Sequence, residues 1–254
     1  MSDKLIKTER NLIKGASKSK IDLSNFNSKS YSEALSKFEI PRLFYQLIVF
    51  VLDASDSMTW EGITGKSKGE EVHEQIIPII ARLQSSKNKN CFDINMHAFS
   101  MSSKEFVKET NVVKIDLNQA DFNPCNHLGN YKTYVAKTLE IVENNVNEYY
   151  KNHEQNSQAL IILLSDGALD DYAESNEICS RIKSNKKTTI ASYLFEDKNW
   201  SANLSHERLK EFQDNIRNLS SLDSNGINFF HSKINPEEIR NHMIKSISTI
   251  SKID

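Results

Sequence analysis

Acidic and hydroxyl side chains follow a strongly apolar run near residue 50. The stretch Phe50–Met58 reads FVLDASDSM and places Asp53, Ser55 and Ser57 at alternate positions after that run. A second apolar run, ALIILLS, leads directly into Asp166. Carboxylate and hydroxyl oxygens are the ligands that a hard cation such as Mg²⁺ selects. The opening stretch is therefore either an ordinary helix cap after a core strand or one wall of a metal site.

The elements that must position these residues alternate between strand-like and helix-like patterns. We predict strands at residues 45–53, 92–99, 105–115, 159–165, 188–195 and 227–231. Apolar residues at helical spacing predict helices over residues 72–83, 135–149, 209–219 and 239–250. Pro78 lies inside the first of these helices and is expected to kink or interrupt it.

The runs LIVFVL and LIILL are apolar at every position, which is typical of central strands covered on both faces. The pattern predicts an α/β fold, a doubly wound, mainly parallel six-stranded sheet with helices on both faces. In such a sheet, ligands bind beyond the carboxyl ends of the strands, where the strand order reverses. Asp53 and Asp166 would emerge at the same edge, and two close carboxylates repel unless a positive charge lies between them.

These motifs resemble those of the von Willebrand factor A domain family. The segment DASDS matches the DxSxS pattern of that family, and LSDG matches its later strand end, usually written TDG. The resemblance spans residues 43 to 251 and implies a metal-ion-dependent adhesion site. It implies that Ser55 and Ser57 bind the cation directly, Thr133 directly or through water, and Asp53 and Asp166 mainly through water. The implied cation is Mg²⁺, with Mn²⁺ or Ca²⁺ as alternatives.

Two features depart from the family pattern. The glycines that precede the family's threonine are replaced by Asn130, Tyr131 and Lys132, so Thr138 or Thr110 could take the place of Thr133. Asp56 stands where many relatives carry glycine, and it either adds negative charge beside the metal or faces solvent. Helix capping by Ser55 and Ser57 fits the first motif locally, and a turn that Asp166 starts with Gly167 fits the second, but neither explains why the two motifs converge.

The resemblance implies a binding protein. In the family, an acidic side chain of a partner protein fills an open position on the cation. The lead-in PRLFYQLIVFVLDASDSM resembles an intracellular bacterial branch similar to the tellurium-resistance Y protein. Members of that branch are associated with stress response and defence against phage, beside kinases, phosphatases or ATPases. We therefore expect a cytoplasmic adaptor or scaffold with such a partner.

Two other functions remain open. A metal between Asp53 and Asp166 could activate water for phosphoester hydrolysis, and His97 is the one histidine considered as a base. Against catalysis, Ser55 stands where the haloacid-dehalogenase pattern needs a second aspartate, and the sequence has neither a GxSxG motif nor a glycine-rich phosphate loop. The third reading is a structural subunit with a vestigial metal site.

Composition sets the remaining limits. The chain has 254 residues with 32 basic and 34 acidic side chains, so its net charge of −2 gives no general reason to expect nucleic acid or an anionic membrane as a partner. Its longest apolar run is far shorter than the roughly 20 residues that cross a bilayer. Residues 1–40 are basic and serine-rich, which predicts a flexible or partner-docked arm before a domain at residues 41–254. The three cysteines form neither a disulfide framework nor a zinc pattern.

Overall fold

The computed structural model describes residues 42, 44–129, 131–153, 156–167, 169–197 and 204–251. The arm predicted for residues 1–40 lies outside these ranges, and the division of the chain near residue 41 stays a prediction.

Six strands form one sheet. They are β1 (Tyr45–Asp53), β2 (Phe92–Phe99), β3 (Ser103–Asn111), β4 (Ser157–Ser165), β5 (Thr188–Phe195) and β6 (Phe230–Lys233). Their order across the sheet is β3-β2-β1-β4-β5-β6, and every neighbouring pair is parallel except β2 with β3. The predicted fold class, a mainly parallel α/β sheet, is confirmed.

Helices cover both faces of the sheet. They are α1 (Lys68–Ser85), α2 (Pro124–His127), α3 (Ala136–Asn152), α4 (Tyr172–Ser184), α5 (His206–Leu219) and α6 (Pro236–Ser251). The alternation of side chains along β1 assigns the faces: Ile48, Phe50 and Leu52 pack with α1 and α6, whereas Leu47 and Val49 pack with α3, α4 and α5. Residues 47–52 of β1 are all apolar because both faces of the strand are buried there.

Pro78 does not interrupt α1, so the expected interruption is wrong. The helix runs without a break from Lys68 to Ser85 with Pro78 inside it. A proline removes one backbone hydrogen bond from a helix interior. Here Ile76, Ile79 and Ile80 are buried on both sides of the proline, and their packing against the sheet stabilises the helix across the lost bond.

Three predicted strands have different bounds in the structure, and the smallest change is in β4, which begins at Ser157 rather than residue 159. β3 ends at Asn111, because the Asn111 side chain accepts a hydrogen bond from the Val113 backbone N–H and starts a short 3₁₀ helix. The last strand begins at Phe230 rather than 227. Asp223 accepts hydrogen bonds from the backbone N–H groups of Asn225 and Ile227 and holds the preceding residues in a turn.

Strand order reverses beside β1. The chain moves from β1 to β2 and β3 on one side and then crosses to β4 on the other side. In register, Leu52 pairs with Leu164 and Asp53 pairs with Phe99, so the ends of β1, β2 and β4 lie together. This is the switch point at which an open α/β sheet binds its ligands. No helix within the described ranges is long and apolar enough to span a membrane.

Candidate metal centre

Asp53 is the last residue of β1 and is fully buried. Its Oδ1 accepts a 2.8 Å hydrogen bond from the Ser55 backbone N–H, and its Oδ2 accepts a 2.6 Å bond from the Ser165 hydroxyl at the end of β4. Both carboxylate oxygens are therefore fixed, one by the loop that follows β1 and one by the neighbouring strand. Sequence reasoning quoted Ser165 only as part of a motif and missed this positioning contact.

Ser55, Ser57 and Asp166 form a chain of oxygen atoms beside Asp53. The Ser55 and Ser57 hydroxyl oxygens are 3.2 Å apart, and the Ser57 hydroxyl donates a 2.7 Å hydrogen bond to Oδ1 of Asp166. Ser55 precedes the short 3₁₀ helix Asp56–Thr59, but its side chain makes no capping bond there. The structure thus brings four of the five predicted site residues together. Their roles as ligands stay predictions.

The Asp53 and Asp166 carboxylates are buried close together, so their negative charges repel each other at this site. Burial, followed by the nearby charge of Asp166, raises the pKa of Asp53 to about 7. Desolvated carboxylates near each other are stabilised by an added cation. Hydroxyl and carboxylate oxygens are also the donors that hard divalent cations prefer. The residues present therefore fit a divalent cation at this point.

A lysine that sequence reasoning missed lies inside the same cluster. The Lys68 Nζ is 2.7 Å from Oδ2 of Asp166 and 2.8 Å from Oδ2 of Asp197, and the lysine side chain is only 3% exposed. Burial opposes the charged ammonium, but the Asp166 and Asp197 carboxylates outweigh it, so the net pKa of Lys68 is raised. A signal for it existed: Lys68 is the first residue of α1, where the helix dipole disfavours positive charge.

Thr133 lies near the site, and it is its backbone that makes the hydrogen bonds to the loop after β4. The Thr133 N–H donates a 3.0 Å hydrogen bond to the Asp170 side chain, and its carbonyl accepts one from the Asp170 N–H. Among the described residues, no hydrogen bond joins the Thr133 hydroxyl to the oxygen cluster. Thr110 pairs with Ile94 near the start of β2, at the opposite end of the sheet. Thr138 is fully buried in α3 and its hydroxyl has no hydrogen-bond partner among the described residues, so it stays a candidate.

The loop after β4 also fixes the start of α3. Asp171 accepts a 3.0 Å hydrogen bond from the Val135 N–H and a 2.7 Å bond from the Ala136 N–H. At the sequence level, Asp170 and Asp171 suggest only a favourable charge at the start of their own helix. The structure shows that both join the Thr133 segment to the loop that carries Asp166.

The rim of the site carries exposed apolar side chains. Trp60 is 56% exposed and its ring centroid is 5.8 Å from the Lys68 ammonium, and Met101 follows the end of β2. Tyr131 is exposed two residues before Thr133, in a segment that hydrogen-bonds to Ser100 after β2. Asp56 is also exposed, so the alternative in which it faces solvent is correct.

Neither His97 nor Cys125 has an environment that would make it reactive. The His97 ring is fully buried in β2 and its Nε2 hydrogen-bonds to Asn95 at 2.6 Å. Burial also lowers the pKa of His97, and within the described residues none of its bonds reaches the oxygen cluster. Burial, and then the charges of Asp53 and Asp166, raise the pKa of Cys125 to about 12, so this thiol stays protonated.

A second group of possible metal ligands lies near the opposite edge of the sheet. Asp93, Glu109 and His153 have ligand atoms within 4.8 Å of one another. Asp93 already contacts the Arg42 guanidinium at 2.6 Å and accepts a 2.9 Å bond from the Tyr149 hydroxyl. The charge of Asp93 is therefore neutralised by Arg42, and this ion pair explains the cluster of Asp93, Glu109 and His153.

Comparisons with known proteins agree with this geometry. A family model described as the von Willebrand factor type A domain matches residues 48–236. A search of curated proteins gave no match. Among solved structures, the pilus adhesin SpaC of Lactobacillus rhamnosus GG superposes with a TM-score of 0.63 at 14% identity, covering 84% of this chain and 31% of that one. This chain thus spans about a third of that adhesin.

Two further structures are similar in fold. The minor pilin PilB of Streptococcus sanguinis has a TM-score of 0.58 at 12% identity, with 85% of this chain and 63% of that chain covered. Proximal thread matrix protein 1 of the mussel byssus, in a structure with a zinc-occupied MIDAS motif, has a TM-score of 0.52 at 11% identity, with 82% and 48% covered. At these identities the likeness shows the fold.

Proposed function

The chain belongs to the von Willebrand factor type A domain family, and from that premise we propose that it is a metal-dependent protein-binding domain. The observation that carries this proposal is the convergence of Ser55, Ser57, Asp53 and Asp166 at the switch point of the sheet. In this proposal Ser55 and Ser57 hold the cation directly, Thr133 directly or through water, and Asp53 and Asp166 mainly through water. The cation is Mg²⁺ in this proposal, with Mn²⁺ or Ca²⁺ as alternatives.

The ligand chemistry favours an acidic partner. When bound, the cation supplies an electrophilic centre that accepts one further oxygen from a carboxylate. Ser55 and Ser57 are neutral, and the Lys68 ammonium offsets part of the negative charge of Asp166. An incoming aspartate or glutamate side chain then gains a charge-assisted contact in a partly buried cleft, where electrostatic interactions are stronger than in water.

The surface around the site supports a protein as the partner. Trp60, Met101 and Tyr131 are exposed at the edge where the oxygen cluster lies. Aromatic residues and methionine are enriched in the cores of protein interfaces, and tryptophan and tyrosine frequently dominate their binding energy. We propose that these side chains surround the carboxylate of the partner once it reaches the site.

The cellular setting is also a proposal. We propose that the protein works in the bacterial cytoplasm as an adaptor or scaffold in stress response or defence against phage. Its partner in this proposal is a kinase, phosphatase or ATPase of the same system. The support is the resemblance of the residues up to Met58 to an intracellular branch of the family.

Calorimetry tests the metal-binding step. Metal-free protein is titrated with Mg²⁺ and with Mn²⁺, beside Asp53→Ala and beside Asp56→Ala as a matched control, because Asp56 is an exposed aspartate three residues away. We expect saturable binding by the wild type and by Asp56→Ala, and no binding by Asp53→Ala. Wild-type protein that binds neither metal would instead support the structural subunit, and equal binding by Asp53→Ala would place the metal elsewhere.

A second experiment separates binding from catalysis. Immobilised wild-type protein should retain a partner from a bacterial extract with Mg²⁺ and release it in chelator, whereas immobilised Asp53→Ala should retain none. The alternative enzyme function predicts metal-dependent turnover of p-nitrophenyl phosphate that is lost in Asp166→Asn. Such turnover would overturn the binding proposal.

A further inference from the structure

Lys68 is a buried cation at the centre of the candidate metal site. Its ammonium contacts one carboxylate oxygen of Asp166 at 2.7 Å and one of Asp197 at 2.8 Å. The two carboxylate oxygens of Asp166 therefore have different donors: Oδ1 accepts a hydrogen bond from Ser57, and Oδ2 accepts one from Lys68. The lysine and the proposed divalent cation both draw on the carboxylate of Asp166.

Local structure does not require a lysine at this position. The start of α1 is already capped by Ser67 and Glu70, which exchange hydrogen bonds in a capping box. A positive charge in the first turn opposes the helix dipole, and a buried ammonium loses its hydration. Among the described residues, these costs are offset by the two carboxylates and by the Trp60 ring, whose centroid is 5.8 Å from the ammonium, so the placement of Lys68 is explained by the site rather than by the helix.

Charge balance indicates what the lysine does there. Asp53, Asp166 and Asp197 are buried together at this edge, and without a cation their ionised forms repel one another. The lysine neutralises one of these charges in the metal-free protein. A divalent cation that enters the site meets a positive charge already bound to Asp166, and the two like charges repel at short range.

We infer that Lys68 is a tethered cation that holds Asp166 in the metal-free state and competes with the divalent cation for it. This inference rests on the proposed function, because it describes how the same site is regulated. Lys68 keeps the metal-free site ordered and lowers its affinity for metal. The site alone then binds metal more weakly than it would without the lysine, and a second favourable contact, such as the carboxylate of a partner, strengthens that binding.

The test compares three variants with the wild type by Mn²⁺ calorimetry and by thermal unfolding in chelator. Lys68→Met removes the ammonium and keeps an apolar chain of similar length. Lys66→Met is the matched control, because Lys66 is exposed and pairs with Glu74 away from the cluster. In Lys68→Met/Asp197→Asn the lysine and one carboxylate are both lost, so the formal charge of the cluster equals that of the wild type.

We expect Lys68→Met to bind Mn²⁺ at least about tenfold more tightly than the wild type and to unfold at a lower temperature in chelator. Lys66→Met should match the wild type in both measurements. The double variant should also bind Mn²⁺ more tightly than the wild type, because Oδ2 of Asp166 is free in it. It remains informative if Lys68→Met alone does not fold, since it lacks the extra buried charge.

The failures of the two proposals are distinguishable. If the wild type binds Mn²⁺ and neither of the two variants that lack Lys68 binds it more tightly, the tethered-cation inference is wrong while the metal site stands. If Lys68→Met binds Mn²⁺ more tightly than the wild type but the double variant binds it with wild-type affinity, the overall charge of the cluster explains the effect. That result would overturn direct competition for Asp166. If no form of the protein binds Mn²⁺, the proposed function fails and this inference fails with it.

Discussion

The Ser165 hydroxyl lies 2.6 Å from Oδ2 of Asp53, and this hydrogen bond joins the ends of β4 and β1 across the switch point of the sheet. Both residues are fully buried. The bond leaves Asp53 little rotational freedom, since its other oxygen is held by the Ser55 backbone. A group that orients a metal-site carboxylate in this way contributes to metal affinity without binding the metal itself.

Ser165→Ala should therefore weaken Mn²⁺ binding by about tenfold, because Asp53 loses the contact that orients it. Calorimetry measures the change. Ser184→Ala is the control, because Ser184 is an exposed serine at the end of α4. Equal affinities for the wild type and Ser165→Ala would show that the Ser55 backbone alone positions Asp53.

Asp53→Asn should make the metal-free protein more stable at pH 8. Burial and Asp166 raise the pKa of Asp53 in the folded protein to about 7, above its ordinary value of 3.8. The folded state then binds a proton that the unfolded state has lost, so the free energy of unfolding falls as the pH rises from about 4 to about 7. Above pH 7 the ionised, buried carboxylate destabilises the fold.

Asparagine keeps the shape of Asp53 without its charge, so urea unfolding in chelator at pH 8 should show a gain of at least about 1 kcal/mol. The same comparison at pH 5 should show a smaller gain, because Asp53 is then protonated in the folded protein. A gain of the same size at both pH values would contradict this assignment of the charge.

Asp171→Ala should destabilise the protein by about 2 kcal/mol, because two backbone N–H groups at the start of α3 lose their acceptor. Glu174→Ala is the control. Glu174 is exposed in the first turn of α4, where its charge is worth only about 0.3–1 kcal/mol through the helix dipole. Urea unfolding distinguishes them, and equal losses would mean that Asp171 acts only through its charge.

Local sequence patterns predict much of the fold and part of the site. The central strands are recognisable because burial on both faces makes them continuously apolar, and Asp53 and Asp166 follow directly from the ends of such strands. Ser55 and Ser57 belong to the same short motif as Asp53. Contacts within a motif are readable from sequence because they depend on spacing along the chain.

Contacts between distant segments could not be predicted in this way. Lys68 contacts both Asp166 and Asp197 only because α1 begins at the edge of the sheet where β4 and β5 end. Asp171 caps a helix that begins before it in the chain, whereas spacing suggests only its own helix. Pro78 shows the same limit, because tertiary packing overrides its local preference.

A pair of stacked histidines should make a contribution to stability that is lost as the pH falls from about 6.5 to about 4. The rings of His231 on β6 and His242 on α6 lie 3.5 Å apart, and the Tyr193 ring is 6.0 Å from His231. Burial, then the charges of His242, Lys245 and Lys233, lower the pKa of His231 to about 4.

The folded state therefore disfavours a proton that the unfolded histidine binds with its ordinary pKa of 6.5. Stability contributed by the neutral ring is full above that pH and is lost as the pH falls toward 4. His231→Phe keeps a flat ring and removes the titration. His206→Gln is the control, because His206 is exposed at the start of α5.

Urea unfolding at pH 7.5 and pH 5 gives the free-energy loss for each protein, and contributions from other groups cancel when variants are compared. We expect His231→Phe to lose about 1 kcal/mol less than the wild type between these pH values, a figure reduced for the partial exposure of the ring. His206→Gln should lose as much as the wild type. An equal loss in all three proteins would show that His231 is not the source of the acid sensitivity.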